Sequence, residues 1–419
     1  MTAPQTRLTS RRRHLAATSV AAAGALLLSA CLGSGTPTAE PGEQTVSDPP
    51  TATSSPTATE TPTSTPTETA TAEPRTITLV AAGDILPHRP VVSSARRYAQ
   101  GSSSEYDFRP MFDEVRPVLS AGDLALCHLE TPLSADNRNL AEPNTMVFNS
   151  PREVAAALKW AGYDGCDFAS NHSWDRGLEG LRQTISVVED EGLGYAGPTA
   201  EESEAGQAAV FDVAGVQVAH LAYSYTLFNN WGPNTEVPPE APWTGRAMWP
   251  VVEADGILAD VAAARAEGAD IVVLSMHWGE EYVTQPTRDQ RELAETLLTS
   301  GAVDAILGTH VHVVQPCETI AGRPVLYGMG NSLSNQGPKP GGSLPAASQE
   351  GIMVELTFTV APDGEVTSEL AYRPTRVNLD GHLIELTGPD KHPEAYARTV
   401  ATVELFGPGA CEATVVPAP

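Results

Sequence analysis

A layered α/β fold is what the sequence predicts from Thr76 onward, and three observations predict it. Short apolar runs alternate with segments whose apolar residues recur every three or four positions, as strands alternate with helices in such folds. Five of the apolar runs lead into a residue whose side chain carries a ligand-type oxygen or nitrogen. Two further segments alternate apolar and polar by twos around a turn, the pattern of antiparallel hairpins.

The elements follow in chain order. Residues 77–82 (ITLVAA) read as the first strand and 124–127 (LALC) as the second. Pro151 suits a first helical turn, and Val154, Ala155 and Leu158 continue that helix. Residues 166–169 are the third strand, followed by a helix with Leu178, Leu181, Ile185 and Val188 on one face. Residues 209–213 and 216–223 form a hairpin turning at Ala214-Gly215. Residues 271–276 are a buried strand, Leu293, Leu297 and Leu298 mark a helix, and 303–307 end another strand at Gly308. A second hairpin pairs 352–358 with 366–372 across Pro362-Asp363-Gly364. The hairpins suggest a second sheet packed on the first. Two long loops, 226–250 and 334–350, are rich in Pro and Gly, and loops of that length inside a domain are usually functional or mobile.

The segment before residue 76 reads differently. Residues 1–30 join a basic stretch to an apolar run at 16–28, too short to span a bilayer comfortably, which is a signal-peptide pattern. Leu28-Ser29-Ala30-Cys31 has the form of a lipoprotein processing site, so Cys31 is expected to carry the lipid. Residues 32–75 are almost all Thr, Pro, Ala, Ser and Glu, with no aromatic residue to pack, and are expected to form a disordered tether. The expected organisation is signal peptide 1–30, lipidated Cys31 and tether 31–75, and one domain 76–419. The protein is then exported and lipid-anchored to the outer face of the cell membrane. The formal charge is -27; residues 1–30 hold four arginines and no acid, so the chain from Cys31 stands at -31. Such a charge argues against nucleic acid as a partner. Four cysteines remain beyond Cys31, and none forms a CxxC pair. Four cysteines allow three pairings, or none. If the strands carrying Cys127 and Cys166 are neighbours, these two pair and Cys317 joins Cys411.

The chemistry gathers where strands end, which is where open α/β sheets bind ligands. The first strand runs into Asp84, with His88 beyond it; the second into His128 and Glu130; the third into Asn171, His172 and Asp175. The later strands run into His277 with Glu280, and into His310 and His312. In extended chain, residues two apart point to one side, so His310 and His312 should stand together. Singly, each has a bland reading: Gly-Asp is usually a turn, and a terminal Glu is often a surface charge or a cap. Together, a carboxylate–imidazole–amide set suits one or two divalent ions such as zinc, iron or manganese.

The motifs Gly83-Asp84, Leu129-Glu130-Thr131-Pro132, Ser170-Asn171-His172 with Asp175 and Gly177, His277-Trp278-Gly279-Glu280-Glu281-Tyr282, 308–316 (GTHVHVVQP) and Gly330-Asn331-Ser332 occur in this order. In that order the sequence resembles the CapA family of poly-gamma-glutamate capsule synthesis proteins, related to the calcineurin-like metallophosphoesterases. The resemblance implies a layered αββα sandwich. It implies metal ligands at Asp84, Glu130, Asn171, His277, His310 and His312, and a catalytic acid at His172. His88, His128, Asp175, Glu280 and Asn331 fall around the ligands or toward the substrate. Three departures stand out: Leu86 where phosphoesterases usually carry a histidine, Glu130 in place of an aspartate, and His128 where asparagine is more common. Poly-gamma-glutamate and membrane capsule-synthase subunits are the partners the resemblance implies. Two functions compete: a metal-dependent hydrolase, and a non-hydrolytic accessory that binds polymer or partners around a vestigial metal site.

Overall fold

In the computed structural model, residues 73–141, 146–229, 233–339 and 342–418 are described. The expected signal peptide, Cys31 and almost all of the tether lie outside them. Seventeen strands and seven α-helices are formed among the described residues. They run β1 (Arg75–Ile85), α1 (Arg89–Tyr98), α2 (Arg116–Leu119), β2 (Leu124–Leu129), β3 (Leu133–Ser134), β4 (Ser150–Pro151), α3 (Glu153–Ala161) and β5 (Gly165–Asp167). Next come α4 (Gly177–Asp190), β6 (Gly194–Ala196), β7 (Ala209–Val213), β8 (Val216–Ser224), α5 (Trp249–Ala266), β9 (Ile271–His277), α6 (Arg288–Thr299) and β10 (Ala305–Thr309). Last are β11 (Cys317–Ile320), β12 (Arg323–Leu326), β13 (Asn331–Leu333), β14 (Glu350–Val360), β15 (Val366–Asn378), β16 (Leu383–Leu386), α7 (Pro393–Val403) and β17 (Ala413–Val415).

Two mixed sheets result. The larger has the order β16-β15-β14-β1-β2-β5-β6, with β13 parallel to β1 and β17 parallel to β15. The smaller has the order β11-β12-β10-β9-β8-β7. Their layering follows from strand alternation. Along β1, Ile77, Leu79 and Ala81 join the cluster between the sheets, and Val80 and Ala82 face the opposite way. Along β9, Ile271 and Val273 enter that same cluster, and Val272, Leu274 and Met276 face outward. Outside the larger sheet lie Val91 and Ala95 of α1, Leu158 of α3 and Leu181 of α4; outside the smaller lie Val261 of α5 and Leu297 of α6. The result is an αββα sandwich.

Several expectations are corrected by the structure. The two hairpins do not form one extra sheet: β7–β8 edges the smaller sheet, and β14–β15 completes the larger. Pro151 does not open a helix; it pairs in β4, and α3 starts at Glu153. The first strand runs from Arg75 to Ile85, longer at both ends than residues 77–82, and the Arg75 guanidinium reaches Asp270 and the carbonyl of Gly215. A third hairpin, β11–β12, carries Cys317 and was not anticipated. Both cysteine pairs are disulfides, Cys127–Cys166 across β2 and β5, and Cys317–Cys411. Among the described residues no helix is long and apolar enough to cross a membrane.

Candidate metal centre

Parallel strands in register bring the motifs to one end of the sandwich. Asp84 lies within β1, opposite His128 of β2 on one side and Asn331 of β13 on the other. That close approach requires glycine at 83, because a Cβ there would run into the carbonyl of Gly330. Gly308 likewise lies against the carbonyl of Tyr327. In the smaller sheet His277 ends β9 opposite Thr309 of β10. His310 and His312 then follow, with φ of 87° and 56°. Their common facing comes from this left-handed turn, not from extended chain as expected. A histidine held at such angles is strained, and strain of this kind gathers at functional sites.

Six side chains converge. Asp84, Glu130 and His312 are buried, with one ligand-type atom from each lying within 4.8 Å of the others. His312 Nδ1 is 3.0 Å from Asp84 Oδ2, and its Nε2 is 3.5 Å from Glu130 Oε1. The backbone N–H of His310 donates to Asp84 Oδ1. Beside this group, His277 Nε2 is 3.0 Å from Asn171 Oδ1, and the His277 and His310 rings are centred 4.6 Å apart. Tyr225 packs on both those rings.

The residues fit a cation. Both oxygens of Glu130 and Nδ1 of His310 are buried without a hydrogen-bond partner. A buried carboxylate in that condition is costly unless something positive compensates it. Burial, reinforced by neighbouring histidines, pushes His277 and His310 far below the ordinary imidazole range, so both offer a neutral lone pair. Burial alone would lower His312 too, but Glu130 and Asp84 overcome it and raise it. Burial raises Glu130, against the pull of His312. Without a cation, the surplus negative charge is thus met by a proton on His312. A divalent ion would supply the same compensation.

Around the six donors the other predicted residues take different places. His172 Nδ1 bonds Asp175 Oδ2 at 2.8 Å, and the same oxygen accepts from the N–H of Phe148. Phe148 stands edge-on to His172 and to His88. His128 sits behind the centre, stacked on His277, with Nδ1 2.7 Å from Asp167 Oδ1. Burial would depress His128, but Asp167 raises it to about 9. Asn331 Oδ1 lies 3.1 Å from His312 Nδ1. Glu280 and Glu281 are both exposed, and of the two it is Glu281 whose charge, with that of Glu130, acts on Tyr225, Tyr282 and His312. Sequence reasoning missed Asp167, Tyr225, Tyr282 and Gln336. Asp167 carried a signal: it follows Cys166, so pairing Cys166 with Cys127 sets it opposite His128.

A two-sheet α/β domain with a buried carboxylate–imidazole–amide centre is the class of protein these residues build. The family described as Bacterial capsule synthesis protein PGA_cap matches residues 78–336, more than half of the chain. The chain belongs to that family. It is 29% identical over 270 residues to the capsule biosynthesis protein CapA of Bacillus anthracis, covering 63% of this chain and 61% of that one. It is 26% identical over 242 residues to the PGA biosynthesis protein CapA of Bacillus subtilis, covering 58% and 61%. The chain thus spans about three fifths of the length of these relatives. Among solved structures, it is similar to a calcineurin-like phosphoesterase of Bacillus subtilis at 14% identity and a TM-score of 0.41, covering 79% of this chain and 99% of that one.

Proposed function

We propose that this protein is a cell-envelope lipoprotein of the CapA type, acting in poly-gamma-glutamate capsule synthesis or export through a metal-dependent, hydrolase-like centre. One observation carries the reading: Asp84 and His312 meet around a buried Glu130 carboxylate that has no hydrogen-bond partner, with His310 and the His277–Asn171 pair beside them. Asp84, Glu130 and His312 would hold one divalent ion, and Asn171, His277 and His310 a second. Zinc, iron and manganese all suit this mixed donor set. Bound there, such ions would supply Lewis-acid polarisation of an ester or amide bond and would make water nucleophilic near neutral pH. The chain's own residues do the rest. Asp175 holds His172 by Nδ1, leaving Nε2 to pass a proton to a leaving group. Phe148 and Tyr225 wall the centre with ring surface.

Metal analysis of the purified chain, run beside hydrolysis of bis-p-nitrophenyl phosphate, tests this. Stoichiometric metal, its loss in His310→Ala, and turnover that needs it are the expected results. Metal without turnover on esters or amides would leave the competing reading: an accessory that binds polymer or partner, such as membrane capsule-synthase subunits. Leu86 is the observation that favours this alternative, since it puts an apolar side chain where phosphoesterases usually carry a histidine. The lipid anchor at Cys31 belongs to the proposal as well. Cys31→Ala should move the protein from the membrane fraction to the soluble one, and a variant that stays membrane-bound ends that part of the reading.

A further inference from the structure

Beside the candidate ligands, the first residues of the loop after β13 make two contacts that the roles above do not use. The N–H of Asn335 donates to His88 Nδ1 at 3.3 Å. A neutral imidazole carries one hydrogen, and a ring nitrogen that accepts cannot hold it, so it resides on Nε2. His88 therefore has no lone pair left for a metal, and it does not replace the histidine missing at Leu86. The contact is itself anchored: Asn335 Oδ1 bonds His382 Nε2 at 3.1 Å, and His382 Nδ1 bonds Ser94 Oγ at 2.7 Å.

The next residue sets a second donor. Asn331 Nδ2 faces the carbonyls of His312 and Ser348, which fixes its amide orientation. It donates to Gln336 Oε1 at 3.0 Å, and Gln336 Nε2 in turn donates to the Tyr282 hydroxyl at 3.1 Å. With its lone pair filled from that side, the phenol must donate its own hydrogen elsewhere, and among the described residues no acceptor takes it. Tyr282 is held at φ 64°, a strained angle for a bulky residue, by its N–H on the carbonyl of Val311 between the two histidines. Its ring centre is 5.8 Å from that of His312.

We infer that the Asn335-Gln336 loop sets two neutral hydrogen-bond donors, His88 Nε2–H and Tyr282 O–H, at the Asp84–Glu130–His312 group to hold an anionic oxygen of the substrate. The inference rests on the metal-centre reading above and deepens it: the substrate presents an oxyanion, read by donors as well as by the ions. His88 and Tyr282 are then binding residues, and Asn335, Gln336 and Asn331 position them.

The test uses the manganese-loaded chain and inorganic phosphate, titrated calorimetrically. Tyr282→Phe and His88→Ala should each weaken phosphate binding by roughly tenfold or more, the usual loss for a hydrogen bond to a charged group. Metal content should stay unchanged. Gln336→Glu should weaken it similarly, because a carboxylate would accept the phenolic hydrogen that the amide now leaves free. Nitrogen-15 shifts of the metal-free wild-type chain should show His88 as the Nε2–H tautomer, a readout that survives even if a variant fails to fold. Unchanged phosphate affinity in a folded variant removes that donor. An Nδ1–H tautomer, or loss of metal in His88→Ala, overturns the His88 assignment. Wild-type protein that holds manganese and binds no phosphate overturns the oxyanion inference while leaving the metal centre standing. Wild-type protein that holds no metal ends the reading beneath it.

Discussion

The two sheets contribute to the centre in different chemical currencies. The larger sheet supplies oxygen donors: Asp84 from within β1, Glu130 just beyond β2 and Asn171 after β5. The smaller supplies nitrogen donors: His277 at the end of β9, and His310 and His312 after β10. The backbone differs as sharply. Asp84 sits in paired strand, and His310 and His312 sit at positive φ. Regular strand thus places Asp84 and, at the end of β9, His277, and strained backbone places His310 and His312. The centre exists only where the sheets meet, so each half can be broken separately.

The largest effect is expected at Glu130, whose unpartnered carboxylate lies beside Asp84 and His312. Glu130→Gln should strip most bound metal, measured by elemental analysis. In the metal-free chain the same change should lower stability by about 1–3 kcal/mol, because it takes from the protonated His312 one of the two carboxylates that it meets. A metal-free variant that melts no lower than wild type would mean that Asp84 alone holds the proton on His312. His172→Ala comes next. Its imidazole belongs to the larger sheet's side but is tied to Asp175 instead of to the donors, so metal content should hold and turnover should fall about 10²–10⁴-fold. Lost metal with retained turnover would exchange its role with a ligand's.

The asymmetry also explains what could be read in advance. Alternating strand and helix patterns place the strands, and five ligand-bearing strand ends point to one pocket. Parallel register then does more than expected: Cys127 opposite Cys166 sets His128 opposite Asp167. The smaller sheet's geometry was not legible. Nothing in Gly308-Thr309-His310-Val311-His312 announces positive φ at two histidines, because non-glycine residues rarely adopt it. The strand end carries Glu280 and Glu281 side by side, and only the folded turn decides that the charge of Glu281 reaches Tyr282. Tyr282 and Gln336 are 54 residues apart, and no local pattern joins them.

A smaller effect tests how the halves are coupled. Asn331 belongs to the larger sheet, yet its Oδ1 and Asp84 Oδ2 both face Nδ1 of His312, which holds the ring hydrogen there and leaves Nε2 toward Glu130. Outer partners of this kind typically contribute 10–100-fold in metal affinity. Asn331→Leu should therefore weaken metal binding by roughly that factor in a competition titration with a chelator. An unchanged affinity would show that Asp84 alone sets the ring.

The smallest expected effect separates strain that serves the centre from strain that does not. Ala214, in the two-residue turn of the β7–β8 hairpin, also sits at positive φ, 51°, beside Gly215 at 83°. Two-residue turns between strands favour Asn-Gly at such angles, because Asn tolerates the left-handed region better than Ala. Ala214→Asn should stabilise the fold by about 0.5–1 kcal/mol, roughly 1–2 °C in the melting temperature of a domain this size. Metal content should not change. His310→Asn relieves the same kind of backbone strain but exchanges the imidazole for an amide, so it should lose metal while melting no lower in the metal-free state. If His310→Asn instead keeps its metal, the left-handed angle at 310 only turns the chain, and the contrast between the two sheets reduces to one of donor type.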